Sequence, residues 1–266
     1  MYPVLLHFGP LTIYSYGVMM ALGFLAASWI LNHEFQRQGR DPALSSALVL
    51  WAAVGGLIGA RLLFIVEKLP EFLAEPWAFV FTGAGFTWYG GLIGGVVAVS
   101  WYIQRHALPW WGIMDAIAPT LPLGHAIGRL GCHLAGDGDW GPPTTLPWGV
   151  AYTDAIVGWP FEPGVYVHPT PLYETAVYLL IFAVLWSRRT APHQPGALFG
   201  GYLLLAGIAR FLLEFVRVNT PVFLGLSQAQ GISVLLALIG VVILLRRETH
   251  TTVTPSLSAL ARGKQR

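Results

Sequence analysis

The chain has 266 residues, a net charge of +2 and a single cysteine; 55% of it is hydrophobic, only 11% is charged, and the mean hydropathy is +0.60. Soluble domains carry about 25% charged residues, so this composition argues against a water-dissolved globule and for a bilayer as the main solvent. One cysteine excludes an internal disulfide.

The opening segment, MYPVLLHFGPLTIYSYG, has neither a basic stretch nor a small-residue cleavage site and is read as retained. Seven stretches then meet the requirement of roughly 20 mostly apolar residues for a membrane-crossing helix. They are 11–31, 46–66, 86–104, 111–130, 171–187, 196–216 and 228–245. The fifth is short unless it begins at Tyr173 and Glu174. The run from Pro76 to Gln104 is uncharged, and Pro76 with the glycines near Gly83 suggests a surface-lying approach to the third span. Residues 132–170, rich in Gly, Pro and Trp, read as a small extracytoplasmic head between the fourth and fifth spans. The expected fold is an all-α polytopic membrane protein of seven transmembrane helices. Residues 1–247 form one integral membrane domain, and 248–266 a polar, disordered cytoplasmic tail.

Lysine and arginine in short loops set the orientation. Arg37, Arg40, Arg105, Arg188, Arg189, Arg246 and Arg247 all fall on one side, and Lys68 is the ordinary loop cation of the other. The N-terminus is therefore expected outside and the C-terminus in the cytoplasm. GGLIG occurs twice, at Gly55–Gly59 and Gly90–Gly94, and small residues four apart recur at Gly124/Gly128 and Gly196/Gly200. Such spacing lets membrane helices approach closely.

Loops do not explain Arg61, Arg129, Arg210 and Arg217. The second, fourth and sixth spans run outward, so Arg61, Arg129 and Arg210 share one depth near the outer face, with Arg217 just beyond. A charge in a membrane segment costs at least about 2.5–3.5 kcal/mol on insertion scales and needs partners or a function. Snorkelling and bundle-pinning salt bridges explain any one of these arginines. Taken together they point elsewhere, because Tyr14, Tyr16, Tyr89, Tyr173 and Glu174 begin spans at the same depth. In RFLLEFVR, Arg210, Glu214 and Arg217 lie at i, i+4 and i+7 on one helical face, where Glu214 can hold both guanidinium groups. Guanidinium is planar, always charged and suited to bidentate phosphate contacts. The pattern reads as an anionic-lipid site opening to the outer leaflet.

The chain resembles the prolipoprotein diacylglyceryl transferases of bacterial inner membranes over nearly its whole length. Tyr16-Gly17 resembles the family's Tyr-Gly on its first helix, and YGGLIG at Tyr89–Gly94 its HGGLIG. DAIAPTLPLGHAIGRLGC is similar to its Asp-x-Ile-Ala-Pro…Gly-Arg-x-Gly-Asn signature. HPTPLYE, His168–Glu174, matches His-Pro-x-x-Leu-Tyr-Glu, and RFLLEFVR matches Arg-Phe-x-x-Glu-Phe-x-Arg. The resemblance implies transfer of a diacylglyceryl group from phosphatidylglycerol to a lipobox cysteine, with no cofactor and no nucleic-acid partner. Arg129 and Arg210 would bind phosphate and stabilise charge, with Glu214 orienting Arg210 and Arg217 supporting that face. Tyr16 would hydrogen-bond the headgroup. Gly90, Gly91, Tyr173 and Glu174 fall in the shared motifs, and Gly141 with the loop before it would shape the entrance.

Two departures stand out. Tyr89 replaces the family's histidine, and a phenol of pKa about 10 is a poor general base at neutral pH. Cys132 replaces its asparagine, and AGDGDWG is one residue longer than Asn-Gly-Glu-x-Trp-Gly, so Asp137 or Asp139 stands in for the glutamate. His133 is either a base beside Arg129 or a loop histidine; Cys132 is either a nucleophile or packing. The set Cys132, His133, Asp137 and Asp139 has metal-ligand chemistry, but adjacent Cys-His is an awkward pair and no metal is expected. His125 reads as a buried hydrogen-bonding residue and His168 as a helix cap. A divergent relative with another acceptor or donor, and a non-catalytic lipid-binding or transport protein, are the alternatives.

Overall fold

The computed structural model describes residues 1–9, 11–77, 85–219, 222 and 225–246. The chain is mostly helical. The expectation of an all-α fold needs one correction: β1 (Val4–Phe8) and β2 (Leu11–Tyr14) pair as an antiparallel hairpin before the first helix. Strand-favouring Val4, Phe8, Thr12, Ile13 and Tyr14 flank Gly9, whose φ of +56° suits the turn between them. Two backbone bonds strap this end down, Ser15 N–H to Pro3 O at 2.9 Å and Tyr2 N–H to Leu134 O at 3.1 Å.

The helices are α1 (Ser15–Arg37), α2 (Ala43–Glu67), α3 (Leu69–Ala74), α4 (Trp88–Arg105), α5 (Trp110–Ile117), α6 (Thr120–Ala135), α7 (Thr170–Arg188), α8 (Ala197–Leu213) and α9 (Gln228–Leu244). A 3-10 turn, Glu214–Val216, extends α8. Among the described residues, four helices are long and apolar enough to cross a membrane: α1, α2, α7 and α8 with its 3-10 turn. The expected fourth span is two short helices, α5 and α6, broken at Ala118-Pro119, where proline lacks the N–H that continues a helix. Residues 78–84, within the expected surface-lying approach to α4, and the tail from 247 lie outside the described residues.

The packing suits a bilayer. Leu25, Trp29, Leu57, Ile93, Leu180 and Leu238 project outward, while the buried side chains include Glu34, Asp115, Glu174 and Glu214. The two GGLIG motifs pack on each other in antiparallel α2 and α4, Gly55 against Gly94 and Gly59 against Gly90. A Cβ on any of the four would run into the facing backbone, so glycine here sets the interhelix distance. Helix α1 runs antiparallel to α6, with Gly23 facing Gly124 and Met19 facing Gly131. Helices α8 and α9 pair through Gly207 against Ser233 and Gly200 against Gly240.

One end of this bundle gathers the C-termini of α1 and α7. Glu34 is buried there, with Arg37 Nη2 at 2.5 Å and Arg189 Nε at 3.4 Å. At the same end Asp115 of α5 accepts backbone N–H bonds from Gly196 (2.6 Å) and Phe199 (2.9 Å), capping α8 in trans. The opposite end gathers the C-terminal ends of α6 and α8 and the N-terminal end of α7.

Candidate active site

Glu174 is the hub of that second end. Its side chain is fully buried, and three guanidinium groups meet it. Arg129 Nε lies 2.7 Å from Oε2, Arg217 Nη1 lies 2.7 Å from Oε1, and Arg210 Nη1 lies 3.7 Å from Oε1. Helix geometry delivers them: Arg129 sits in the penultimate turn of α6, Glu174 in the first turns of α7, Arg210 in the last turn of α8, and Arg217 just past the 3-10 turn.

Two more carboxylates close the network. Asp139 bridges Arg129 Nη1 and Arg217 Nη2, the latter at 2.5 Å. Glu214 Oε2 lies 2.9 Å from Arg210 Nη1 and 3.7 Å from Arg217 Nε. Three guanidinium groups thus meet three carboxylates, a balance that lets the cluster sit at low exposure. Burial penalises the charge on Asp139, but Arg129 and Arg217 outweigh it and hold its carboxyl below the usual carboxylate range. The protein contacts of Arg129 use Nε and Nη1, and those of Arg210 use Nη1 alone. Among the described residues, Nη2 of Arg129 and Nε and Nη2 of Arg210 donate to no protein group. These two arginines remain 17% and 22% exposed, against 9% for Arg217. The least occupied guanidinium groups are therefore the more open ones.

The DGD turn resolves into two functions. Gly136 ends α6 at φ +63°, a left-handed conformation natural to glycine, with its N–H on Cys132 O. Asp137 then accepts the N–H of Asp139 at 3.2 Å, an Asx turn that swings Asp139 back over the arginines. Asp139, not Asp137, is the carboxylate of the network. Gly141 is packed so closely against the Val216 carbonyl and His168 that a side chain has no room, and its N–H bonds His168 O at 2.9 Å. The loop is thereby clamped onto the end of α8 and the start of α7.

The remaining candidates divide. His125 stacks on Tyr178, centroids 3.8 Å apart, and places Nε2 3.3 Å from both Glu174 Oε2 and Arg129 Nε. Cys132 is buried with Sγ 3.8 Å from Arg129 Nη1. Tyr16 packs beside Gly131, within electrostatic range of Arg129, Cys132, Asp137 and Asp139. Tyr173 accepts from Trp148 Nε1 at 2.8 Å and faces His168 Nδ1 at 3.1 Å, which ties the 136–169 segment to α7.

His133 points away from the arginines to Tyr152 Oη, 3.0 Å off, in an aromatic cluster with Trp140 and Trp159. The sulfur and carboxylate oxygens of Cys132, Asp137 and Asp139 lie within 4.8 Å of one another without it, yet both Asp139 oxygens already face guanidinium groups. Arg61 does not join the other three: it donates to Gly85 O at 2.9 Å and lies over the Phe64 and Phe86 rings. Tyr89 stacks edge-on to Trp88, Gly90 is buried against Gly59, and Gly91 faces Gly56 and Ala60. These three sit on the α2–α4 pair, and among the described residues no hydrogen bond or ion pair joins them to the arginine network. Sequence reasoning undervalued Glu174 as the hub and passed over Ser227 and Asn219, which bond Glu214 (2.5 and 2.7 Å). The signal for Ser227 was present as a capping box, S-x-x-Q, opening an apolar run.

A family model for prolipoprotein diacylglyceryl transferase matches residues 3–246. The chain is 34% identical over 244 residues to the phosphatidylglycerol–prolipoprotein diacylglyceryl transferase of Clostridium tetani, covering 91% of this chain and 96% of that one. It is 35% identical to that of Solidesulfovibrio magneticus, covering 92% and 94%, and 31% identical to that of Stenotrophomonas maltophilia, covering 98% and 97%.

Proposed function

The chain belongs to the prolipoprotein diacylglyceryl transferase family, and we propose that it moves the diacylglyceryl group of phosphatidylglycerol onto the lipobox cysteine of a prolipoprotein. The bond between the glyceryl carbon and its phosphate oxygen breaks, a carbon–sulfur thioether forms, the thiol loses its proton, and glycerol-1-phosphate leaves. The observation that carries this reading is the meeting of Arg129, Arg210 and Arg217 on buried Glu174, with unoccupied N–H groups on the two more exposed arginines.

The chemistry follows from charge. A phosphate leaving group gains negative charge as its carbon–oxygen bond breaks, and donors fixed beforehand stabilise that charge without reorganising. Glu174 and Glu214, on rigid elements, hold the guanidinium planes apart and in place. Asp139 is on a loop and 32% exposed, so it is the anion a phosphate replaces; rotation of its side chain opens Arg129 and Arg217 to the headgroup. Thr170 Oγ1 bonds the Asp139 carbonyl, so the backbone stays put while the side chain turns. Tyr16, beside Gly131, donates to the headgroup. Tyr89 serves as a hydrogen-bond donor at the lipid path rather than as a base. Gly141, Tyr173 and His168 keep the loop closed over the site, and Cys132 packs beneath it.

The same reading takes the enzyme as a seven-pass protein of the bacterial cytoplasmic membrane, N-terminus outside, with its site at the outer leaflet. Its support is the segregation of ends: Arg37 and Arg189 meet on Glu34 at one end and the arginine cluster lies at the other, beside the connection 136–169; residues 132–135 of the expected head, and Thr170, belong to α6 and α7. Tyr89 and Cys132, in place of the family's His and Asn, favour a second reading, a relative with another acceptor thiol. Transfer of radiolabelled diacylglycerol from phosphatidylglycerol to a lipobox peptide by the purified protein tests the first reading. Labelled peptide supports it; phosphatidylglycerol bound but neither consumed nor transferred to the peptide favours the second.

A further inference from the structure

Glu214 divides its two oxygens between two tasks. Oε2 faces Arg210 Nη1 (2.9 Å) and Arg217 Nε (3.7 Å). Oε1 accepts from Ser227 Oγ (2.5 Å) and Asn219 Nδ2 (2.7 Å). Ser227 is also the N-cap of α9: its Oγ accepts the Gln230 N–H at 3.2 Å, and its own N–H donates to Gln230 Oε1 at 3.0 Å. The hydroxyl thus has its donor on the carboxylate and an acceptor lone pair on the helix. Ser227, Gln230 and Glu214 are all buried, so the bonds among these three are shielded from water, whereas Asn219 is exposed. The guanidinium side is looser: Arg210 Nη1, Arg217 Nε and Glu214 Oε2 are in charge contact, yet misaligned for hydrogen bonds. Nothing on that side fixes the carboxylate plane. The Oε1 side does.

We propose that Ser227 is a positioning residue for the reaction: its hydroxyl latches Glu214 to the start of α9, so that Oε2 holds Arg210 and Arg217 where a phospholipid phosphate meets them. The inference rests on the reading of those arginines as a phosphate site and adds a residue from an element outside the ion-pair network. Without the latch, Oε1 keeps only the bond from exposed Asn219, the carboxylate rotates between its two guanidinium partners, and Arg210 loses its fixed plane. The loss is carried by headgroup binding and transfer, not by the integrity of the bundle.

Two properties of serine have to be separated. Glycine at an N-cap keeps most of the helix-start preference but has no hydroxyl to donate, whereas threonine keeps both. Five proteins are compared in detergent: wild type, Ser227→Gly, Ser227→Thr, Glu214→Gln, and Ser227→Gly combined with Glu214→Gln. Two readouts are taken, diacylglyceryl transfer to a lipobox peptide and equilibrium binding of phosphatidylglycerol. The expected result is a roughly tenfold loss in both for Ser227→Gly with an unchanged melting temperature, recovery in Ser227→Thr, and no further loss when Ser227→Gly is added to Glu214→Gln, because the two act through one contact. Wild-type binding and transfer in Ser227→Gly, or a loss that adds in full to that of Glu214→Gln, overturns the proposal. A wild-type protein that binds phosphatidylglycerol but transfers nothing sinks the transferase reading alone, and the binding arm still decides the role of Ser227.

Discussion

Arg129 Nε stands 2.7 Å from Glu174 Oε2, joining the end of α6 to the start of α7 inside the bundle. The contact orients a guanidinium whose Nη2 donates to no protein group among the described residues. Arg129→Ala or Arg210→Ala is expected to lower transfer by at least about 10²-fold, the usual cost of losing one fixed donor to developing charge. Arg129→Lys is expected not to recover it, since an ammonium is a point charge and cannot span Glu174 and Asp139 in one plane. Single-turnover rates with labelled phosphatidylglycerol check both.

Glu174→Ala leaves three guanidinium groups facing each other with their common counter-charge gone. Removing one partner of a buried ion pair costs about 3–5 kcal/mol, so this variant is expected to melt several degrees lower in detergent or to fail to accumulate. Glu174→Gln also removes the charge but keeps the shape and one hydrogen-bond acceptor, so it is expected to be destabilised less than Glu174→Ala while still losing transfer. Thermal melts alongside activity separate the two effects.

Asp139 gives a pH signature with a defined sign. Burial opposes its ionisation, and the two arginines more than offset that, so its folded pKa is depressed. A depressed carboxylate contributes stability at every pH above its unfolded value, about 3.9, and loses it only as pH falls through the lower folded value. The melting-temperature difference between wild type and Asp139→Asn is therefore expected to stay constant from about pH 8 to about pH 5 and to shrink below about pH 4. A difference that shrinks between pH 7 and pH 5 contradicts the assignment.

Cys132 is buried against Arg129 Nη1 at 3.8 Å, a packed thiol rather than a presented one. Cys132→Ala is expected to keep more than about a third of wild-type transfer, with the modest loss that follows from a small cavity. Peptide labelling in the same assay checks it, and an inactive variant would make the thiol a participant.

Gly59→Leu or Gly94→Leu is expected to be far more damaging than Gly201→Leu. The first two drive a side chain into the facing backbone of the α2–α4 pair, whereas Gly201 has only the flexible tip of Leu185 near it, at 3.7 Å. Yield of monodisperse protein after extraction reads the difference.

Much of this arrangement is legible along the chain because membrane helices are long and uniformly apolar. The bounds of α2, α4, α7 and α9 fall within a few residues of the expected spans. RFLLEFVR is informative only in part: Arg210 and Glu214 meet at i, i+4 at the end of α8, but the chain tightens to 3-10 at Glu214 and is extended at Arg217, which therefore reaches the cluster from beyond the helix rather than on its face. The break at Ala118-Pro119 is overridden in a window count because both halves are apolar. The N-terminal hairpin hides at the edge of an apolar run. Depth alone does not identify partners, which is why Arg61 looks like the other arginines but lies with Gly85, Phe64 and Phe86. The choice between Asp137 and Asp139, and the roles of Glu174 and Ser227, depend on which helices are neighbours.

Transfer itself is the decisive measurement. Purified wild type, Arg129→Ala and Arg210→Ala are each given phosphatidylglycerol labelled in its diacylglyceryl moiety and a lipobox peptide. The account predicts label on the peptide cysteine, with glycerol-1-phosphate released in equal amount, for wild type and neither product for the two variants. Undiminished thioether formation by both arginine variants would contradict it.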